Sequence, residues 1–444
     1  MLFGMPIKNG RRVIPSQFFN TLLCLLVLTL TGTVAYAEQA PLTLANALSR
    51  TVAQNPTLQV FDFRLQGLEG RRFTADQNPA LEAGLEVENV LGSGNRQGSD
   101  AAEYTLSLSS VLELGGKREA RVSVVDSRYA LVEAERQAET LDVLGQVAQR
   151  FVATLALQEK LELAADAVAL TEATHEIVTR RADRGAAPQA EVMRARAALT
   201  RSRIEQSRVL SEYESRKIAL ASLWGDTRPD FQSLEGDLFQ FGSSDSFEIL
   251  YQRVSESPAI QIYASERRVR EAEVQLSRSQ SESDIRWQVG IRRFEETDDT
   301  ALTAGLSVPL FSGRRNRGEV QAALAARDEI RYRREDTLLR LHSRLFEAYR
   351  QRQQNIEAVE QIRGQVLPDM SDALSQTRKA YEKGRYSYVE WTAAQRELLS
   401  ARQALVDAAT TALLNQALIE QLTAQMGRSG QLAKGNTPLS GDLL

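Results

Sequence analysis

Twice in this chain, about 200 residues apart, a strand-like pattern changes directly into a helix-like one. Residues 104–112, YTLSLSSVL, alternate apolar and hydroxyl side chains with the two-residue period of a strand. GGKR at 115–118 then opens a long segment rich in Ala, Arg and Glu. LTAGLSVPL at 302–310, followed by FSGRR, repeats this order. Such a chain must place a small sheet at one end of very long helices.

Further segments recur at nearly the same offset, which indicates an internal duplication. RGAAPQAEVMRARAAL begins at residue 184, and KGRYSYVEWTAAQREL begins at residue 383. We predict a first structural repeat at 38–225, a linker at 226–244, a second repeat at 245–427 and a flexible tail at 428–444.

Each repeat is predicted to run helix, strand, strand, long helix, shorter helix, with the last two helices separated at a glycine. The first repeat has helices at 44–76, 117–183 and 189–224 and strands at 81–90 and 104–112. The second has helices at 247–281, 314–382 and 388–426, an irregularity at Pro368, and strands at 285–294 and 302–310.

The helix lengths indicate a coiled coil or a tube of helices. A helix of about 67 residues is about 100 Å long, far beyond a helix of a globular domain. Leu131, Ala134, Ala138 and Leu141 recur at the three- and four-residue steps of a packed seam. The two shorter helices of a repeat add up to about the same length, so stacked end to end they would form a second column.

The strands carry one apolar and one polar face, which is the alternation of a membrane barrel. In lipid a sheet must close, because an open edge leaves backbone groups unpaired. Four strands cannot enclose a channel, whereas twelve strands from three chains leave a pore. The predicted fold is therefore mainly α with a small β part. Strand periodicity alone also fits a soluble coiled-coil protein capped by two hairpins.

Residues 1–37 resemble a cleaved signal peptide. Lys8, Arg11 and Arg12 precede an apolar run at 18–34, and AYA at 35–37 offers small residues for cleavage. An N-terminal membrane anchor is the alternative. The only cysteine, Cys24, lies in this run after Leu23, a context that does not favour lipidation. The mature chain would then have no disulfide, thiolate nucleophile or cysteine-based metal site.

Beyond residue 37 no apolar run reaches 18 residues, so no transmembrane helix is predicted. An exported chain of this kind is periplasmic, secreted or inserted as a barrel. Removing the three basic residues of the leader changes the formal charge from −4 to about −7, which argues against a nucleic-acid partner.

The residue types that carry chemistry are sparse and scattered. His175 and His342, the only histidines, lie in different repeats, and no His or Cys occurs at metal-ligand spacing. The glycines of GGKR lack the spacing of a phosphate-binding loop. No nucleophile can be paired with a base. We predict no catalytic residues, no cofactor and no protein-bound metal.

With its duplicated unit, the chain resembles the TolC family of outer membrane efflux proteins over about residues 42–427. ELGGKR at 113–118 resembles a segment of the outer membrane subunits of heavy-metal efflux pumps. The resemblance implies a homotrimer with a twelve-stranded barrel in outer membrane lipid and a helical barrel across the periplasm. It further implies a periplasmic adaptor, an inner-membrane pump of the resistance-nodulation-division type, and divalent metal cations as cargo.

The resemblance also implies positions for functional residues. Glu390 stands at the first acidic position of a ring at the periplasmic constriction, and Glu191 is its counterpart in the first repeat; the second acidic position is Ala393. The alternative for both glutamates is an ordinary solvated helix charge. The helix-turn tips that face the adaptor would include Gly185, Pro188, Gly384 and Arg385. The strand-to-helix junctions, at the other end of the long helices, would include Gly115, Gly116 and Gly313.

Two other functions remain open at this point. A type I protein-secretion or multidrug-efflux channel would share the architecture, and only ELGGKR argues against it. A periplasmic coiled-coil scaffold or adaptor is the alternative from another class. An adaptor would need a single helical hairpin and a lipoyl-like β domain, neither of which the sequence indicates.

Overall fold

A computed structural model describes residues 41–243 and 245–426. The predicted signal peptide, with Cys24, and the predicted tail at 428–444 lie outside the described residues.

The first repeat follows the predicted order of elements. Its long helix has the predicted bounds because the glycines at 115–116 and 185 delimit it. The elements are β1 (Leu42–Thr43), α1 (Leu44–Gln54), α2 (Pro56–Ala75), β2 (Glu82–Glu88), β3 (Glu103–Leu112), α3 (Lys117–Asp183) and α4 (Gln189–Ala221), which a 3₁₀ turn extends over Ser222–Trp224.

The second repeat has the same order, with more interruptions. After β4 (Leu234–Glu235) in the linker come α5 (Phe247–Ser255), α6 (Pro258–Ser279), β5 (Ile285–Phe294), β6 (Asp299–Ser307), α7 (Ser312–Arg315), α8 (Arg317–Gln361), α9 (Leu367–Glu382) and α10 (Tyr388–Leu422). A π turn at Ile362–Val366 joins α8 to α9 just before Pro368, so the predicted irregularity is confirmed.

The prediction of one continuous first helix is wrong in both repeats. The helix at 44–76 is divided at Asn55, whose side-chain oxygen accepts hydrogen bonds from the backbone N–H groups of Thr57 and Leu58. The helix at 247–281 is divided at the equivalent Ser257. In each case a proline follows and occupies the first position of the new helix, where its missing N–H costs nothing.

Strand β6 begins and ends three residues earlier than predicted. Asp299, at the end of the predicted loop, already pairs with Phe294, and the ladder stops at Ser307. Pro309 lies in the predicted strand but has no N–H to donate to a ladder, which explains the earlier end.

The four long strands form one antiparallel sheet in the order β2–β3–β5–β6. The two repeats meet in its centre, where ten residues of β3 pair with ten of β5. Within the described residues, β2 and β6 each pair along one edge only. The sheet is therefore open on both sides.

The two faces of this sheet differ as the alternation predicts. A row of apolar side chains crosses all four strands and is 51–86% exposed: Leu85, Leu106, Ile291 and Leu302. On the other face, Arg292 forms ion pairs with Glu88 (2.8 Å) and Glu103 (3.0 Å) and donates to the hydroxyl of Thr105 (2.8 Å).

The long helices lie side by side below the sheet. α3 packs against α2 and α6 in the part near the sheet, and against α4 and α10 in the part nearer the turn at Gly185. α6 also packs against α8, so α2 and α8 are the outermost helices of the upper layer. Among residues 41–243 and 245–426, none of the helices combines the length and apolar character that crossing a bilayer requires.

The linker is packed against the middle of the helices. Leu42 of β1 pairs in parallel with Leu234 of β4. Leu234 and Leu238 are buried in the largest apolar cluster together with Phe151 and Leu155 of α3. This cluster braces the helices at a level between the sheet and the lower tips. The division of the chain into domains stays a prediction.

At the first strand-to-helix junction, two glycines adopt left-handed backbone angles. Gly115 has φ 74° and Gly116 has φ 68°. A Cβ on Gly115 would lie 2.6 Å from Cγ of Glu282, so glycine is required there for space as well as for conformation. In the second repeat the left-handed residue is Phe311, with φ 62°, and Gly313 lies inside α7. The two junctions thus make the same turn with different residues.

Side chains also fix the first junction. Buried Lys117 forms an ion pair with Asp284 (2.6 Å) and donates to the carbonyl of Glu282 (2.8 Å). Asp284 also accepts from the backbone N–H of Leu114 (3.1 Å). Because Asp284 immediately precedes β5, these bonds tie the start of α3 to the other repeat. Side-chain contacts as well as the backbone turn therefore hold this junction.

Candidate functional site at the helical tips

The end of the molecule opposite the sheet is formed by two similar turns. α3 turns into α4 at Gly185, with φ 73°, and α9 turns into α10 at Gly384, with φ 72°. Each glycine closes its helix by donating to a carbonyl three residues earlier, at 2.8 Å. The predicted tip residues Gly185, Pro188, Gly384 and Arg385 are all exposed.

An apolar cluster joins the two turns. Its buried members come from both repeats: Ile177, Val178, Val192, Ala195, Tyr381, Tyr388 and Trp391. The rings of Tyr381 and Trp391 stack with their centroids 5.0 Å apart. The two tips of one chain are therefore a single packed unit.

Arg181, which the sequence analysis did not identify, links the two turns by hydrogen bonds. Its guanidinium lies 4.7 Å from the ring centroid of Tyr381. It donates to the carbonyls of Tyr381 (2.8 Å) and Glu382 (2.6 Å), which end α9, and to that of Ala186 (3.1 Å) in its own turn. Its position in the last turn of α3 is the one sequence signal, since cations there stabilise exposed helix carbonyls.

Glu390 occupies the third position of α10 and caps that helix. Its backbone N–H donates to Ser387 Oγ (3.3 Å), and its carboxylate accepts from the backbone N–H of Ser387 (2.7 Å). This reciprocal pair is a capping box. The hydrogen bond from the Ser387 N–H lowers the pKa of the exposed Glu390 carboxyl, and the Ser387 hydroxyl contributes further.

Glu191 occupies the same position of α4 but makes a different contact. Pro188 precedes α4 and has no N–H with which to form a capping box. The Glu191 carboxylate instead accepts a hydrogen bond from the hydroxyl of Tyr381, at 2.7 Å, across the two repeats. Burial and this bond raise the pKa of Tyr381 above its usual value.

The polar face of the sheet carries a second set of charges. Glu103, one partner of Arg292, also accepts from the side-chain amide of Asn89 (2.8 Å), which in turn accepts from Arg96. These bonds hold the connection between β2 and β3 against the sheet. No local pattern in the sequence indicates these bonds, because they depend on the register that sets β2, β3 and β5 side by side.

Neither region has the donors of a metal centre. In the part of the chain that the structure describes, no group of three or more His, Cys, Asp or Glu side chains could hold a metal ion. His342 lies among aromatic rings, edge-on to Phe247 and Tyr251 with centroids 5.2 and 4.8 Å away. The carboxylates of Glu191 and Glu390 are instead bound to Tyr381 and Ser387 of the same chain.

Comparison with known proteins extends these observations. The profile of a family described as "Outer membrane efflux protein" matches residues 47–226 and 249–425. The chain is 26% identical over 362 residues to the cobalt-zinc-cadmium resistance protein CzcC of Cupriavidus metallidurans, covering 82% of this chain and 85% of that protein. It is 25% identical over 303 residues to the nickel-cobalt-cadmium resistance protein NccC of Alcaligenes xylosoxydans xylosoxydans, covering 67% of each.

The fold also matches a solved structure. A crystal structure of CusC, described in connection with folding and transmembrane channel formation, superimposes with a TM-score of 0.71 at 17% identity. The match covers 86% of this chain and 91% of that chain. The predicted fold class, mainly α with a small sheet, is confirmed.

The capping role of Glu390 predicts a pH-dependent effect of its removal. Glu390→Ala should lower the thermal denaturation midpoint at pH 7, because the charged carboxylate stabilises the start of α10. A carboxyl whose folded pKa lies below its unfolded value of 4.5 contributes stability above that value and loses it as the pH falls. The difference from wild type should therefore shrink below about pH 4. Glu397→Ala, further along the same helix, is the control; a deficit independent of pH would contradict the explanation.

Proposed function

We propose a trimeric exit duct for this chain, which belongs to the outer membrane efflux protein family. The chain is an outer membrane component of efflux. In the proposal, three copies enclose one continuous channel, and an inner-membrane pump of the resistance-nodulation-division type delivers the substrate through a periplasmic adaptor. The protein supplies a passive path and catalyses no reaction.

The observation that carries this proposal is the sheet with two unpaired edges and an exposed apolar face. A sheet in hydrocarbon has to satisfy the N–H and C=O groups of β2 and β6 with other strands. Joining β2 of one copy to β6 of the next does so in every copy at once when the ring closes. With four strands per chain, three copies give twelve strands, which leave room for a pore.

The outermost helices support the same assembly. On α8, Tyr332 and Leu339 are exposed and seven residues apart, the spacing of a coiled-coil seam. On α2, Val60 and Phe63 are exposed, and no atom lies within 4 Å of a Cβ built at Gly67. Rotation about the tube axis brings these two helix edges of neighbouring copies together.

We infer that the tips form the constriction of the duct. Glu191 and Glu390 of three copies would contribute carboxylates around the lower opening, and rings of acidic side chains favour cations. The bond from Tyr381 to Glu191 holds the end of α9 to the start of α4. Widening the opening by moving α9 and α10 away from α3 and α4 would break it. The exposed turns at Gly185, Pro188, Gly384 and Arg385 are the proposed contacts for the adaptor.

Divalent metal cations are the proposed cargo. The names of CzcC and NccC, which describe resistance to cobalt, zinc, cadmium and nickel, support this choice. ELGGKR and the carboxylates at the tip point the same way. The cation would pass without ligation by the protein, guided by charge alone.

The assembly predicts that a larger side chain at Gly67 weakens the trimer. Gly67→Leu should fold as a monomer, because the site is open and leucine favours a helix, but should obstruct the contact with α8 of the next copy. Wild-type protein in outer membrane fractions should run as a heat-labile trimer on electrophoresis, and Gly67→Leu should not. Gly364→Leu, another open position, is the control. Recovery of the wild type as a soluble periplasmic monomer would refute the proposal.

The tip contact predicts a change in conductance. Tyr381→Phe removes a hydrogen bond to a charged group, worth about 1.5–3 kcal/mol, so the open fraction of the channel should rise about tenfold or more. Planar-bilayer recordings measure this, with Tyr386→Phe as the matched control, since the exposed Tyr386 side chain makes no hydrogen bond among the described residues. Unchanged opening in Tyr381→Phe would show that the bond does not hold the constriction.

The cargo is tested in a deletion strain. Loss of the gene should lower tolerance to zinc, cobalt or cadmium, because the pump would lack its exit, and the wild-type gene should restore it. Glu191→Ala with Glu390→Ala should restore it only partly, whereas Glu397→Ala should restore it fully. Unchanged metal tolerance with a new sensitivity to drugs, or with failed export of a protein, would favour the multidrug or type I secretion alternatives.

A further inference from the structure

We propose that a groove just below the sheet binds an anionic phospholipid from the periplasm-facing leaflet of the outer membrane. The groove lies between the end of α6 and the start of α8 and has a volume of about 450 Å³. Arg278 at the end of α6 and Ser281 just after it line one side, and Gly313, Arg317 and Gln321 line the other. The proposal rests on the membrane orientation used in the proposed function, but not on the cargo.

The arginines of this groove have no partner of their own. In the residues that the structure describes, neither Arg278 nor Arg317 forms an ion pair or a side-chain hydrogen bond. Arg270 of α6 and Arg333 of α8, by contrast, are paired with Glu273 and Glu266. Two unpaired guanidinium groups facing one cavity provide several donors for a phosphate.

The carboxylates near the groove do not neutralise it. Asp284, which follows the end of α6, is bound to Lys117 at 2.6 Å. Glu319 lies two residues after Arg317, which is about 200° around the helix and hence on another face. Arg314 and Arg315 next to the groove are exposed and also unpaired within the described residues. Glu282, exposed beside Ser281, is one carboxylate against the four arginines Arg278, Arg314, Arg315 and Arg317. The local charge is therefore still positive, although the chain as a whole carries a formal charge of −4.

The groove opens on the outer surface of the helices. On α3, Asp126 contacts α2 and Arg128 contacts α6. The directions from the α3 axis to these two helices therefore differ by about 160°, and Val132 lies within that angle. In the proposed tube, where neighbouring helices are less than about 180° apart on the inner side, the side of α3 that includes Val132 would face the interior. Glu273 of α6 shares that interior groove with Val132. Arg278 comes five residues later, about 140° around α6, and so faces outward.

The level of the groove matches the boundary of the membrane. Leu310 and Phe311, which immediately precede α7, are 70% and 75% exposed and continue the apolar face of the sheet. The groove begins at Gly313, two residues further on. A lipid whose acyl chains lie along Leu310 and Phe311 would thus have its phosphate beside Arg278 and Arg317. Basic residues at this level are the usual contacts for anionic headgroups.

The test measures lipid binding to the purified full-length trimer by native mass spectrometry. Phosphatidylglycerol should bind more tightly than phosphatidylcholine, by about tenfold or more, since each arginine near a headgroup adds to anionic selectivity. Arg278→Gln with Arg317→Gln should reduce the ratio to below about threefold. Arg201→Gln with Arg216→Gln, exposed on α4 and distant from the sheet, should leave it unchanged.

Further variants and a competition measurement distinguish the effect of arginine charge from damage to the fold and from binding of a free anion. Arg278→Lys with Arg317→Lys keeps the charge and should retain most of the selectivity, which controls for damage to the fold. Equal selectivity in wild type and the glutamine variant would overturn the proposal. Displacement of phosphatidylglycerol by inorganic phosphate at equal concentration would also overturn it, because the site would then recognise a free anion. Normal conductance of the glutamine variant is expected, so a failure here leaves the proposed channel intact.

Discussion

The structure depends on the fact that backbone N–H and C=O groups cannot remain unpaired in hydrocarbon. The sheet presents an apolar face through Leu85, Leu106, Ile291 and Leu302, yet β2 and β6 each have one edge that no strand among the described residues pairs with. Lipid on that face and open edges beside it are incompatible unless other copies supply strands. If copies related by a rotation axis close the sheet into a barrel, the helices attached to the sheet must be arranged around that same axis. This accounts for long helices arranged side by side and for matching apolar edges on α2 and α8.

The connection between sheet and helix transmits this constraint along the chain. A strand and a helix can join without a loop only if a few residues adopt left-handed angles, as Gly115, Gly116 and Phe311 do. Lys117 and Asp284 then lock the junction of one repeat to the start of β5 in the other. The sheet and the helices are consequently held in one orientation relative to each other.

Local patterns in the sequence predicted most of the helices and strands, but they could not predict contacts between residues that are distant in the sequence. α3 was predicted from Lys117 to Asp183 because glycines delimit it. The divisions at Asn55 and Ser257 were missed, although Asn-Pro and Ser-Pro are known helix starts. At the tips, Glu390 was predicted from the family resemblance and Glu191 from its equivalent position in the first repeat. Their partners could not, because Tyr381 lies 190 residues from Glu191 and only packing brings them together.

The difference between Pro188 and Ser387 has a consequence for symmetry. In the proposed trimer, duplication would place six similar helix starts around the tip, each with a glutamate at its third position. Ser387 lets three of those glutamates satisfy their own helices, whereas Pro188 leaves the other three to hold Tyr381. The difference between Pro188 and Ser387 would thus divide a pseudo-sixfold ring of helix starts into two alternating sets of three, the starts of α4 and the starts of α10. Half of the starts would then be capped by their own glutamate and half bonded to Tyr381, so the proposed ring would be divided between helix starts that depend on a neighbouring turn and helix starts that do not.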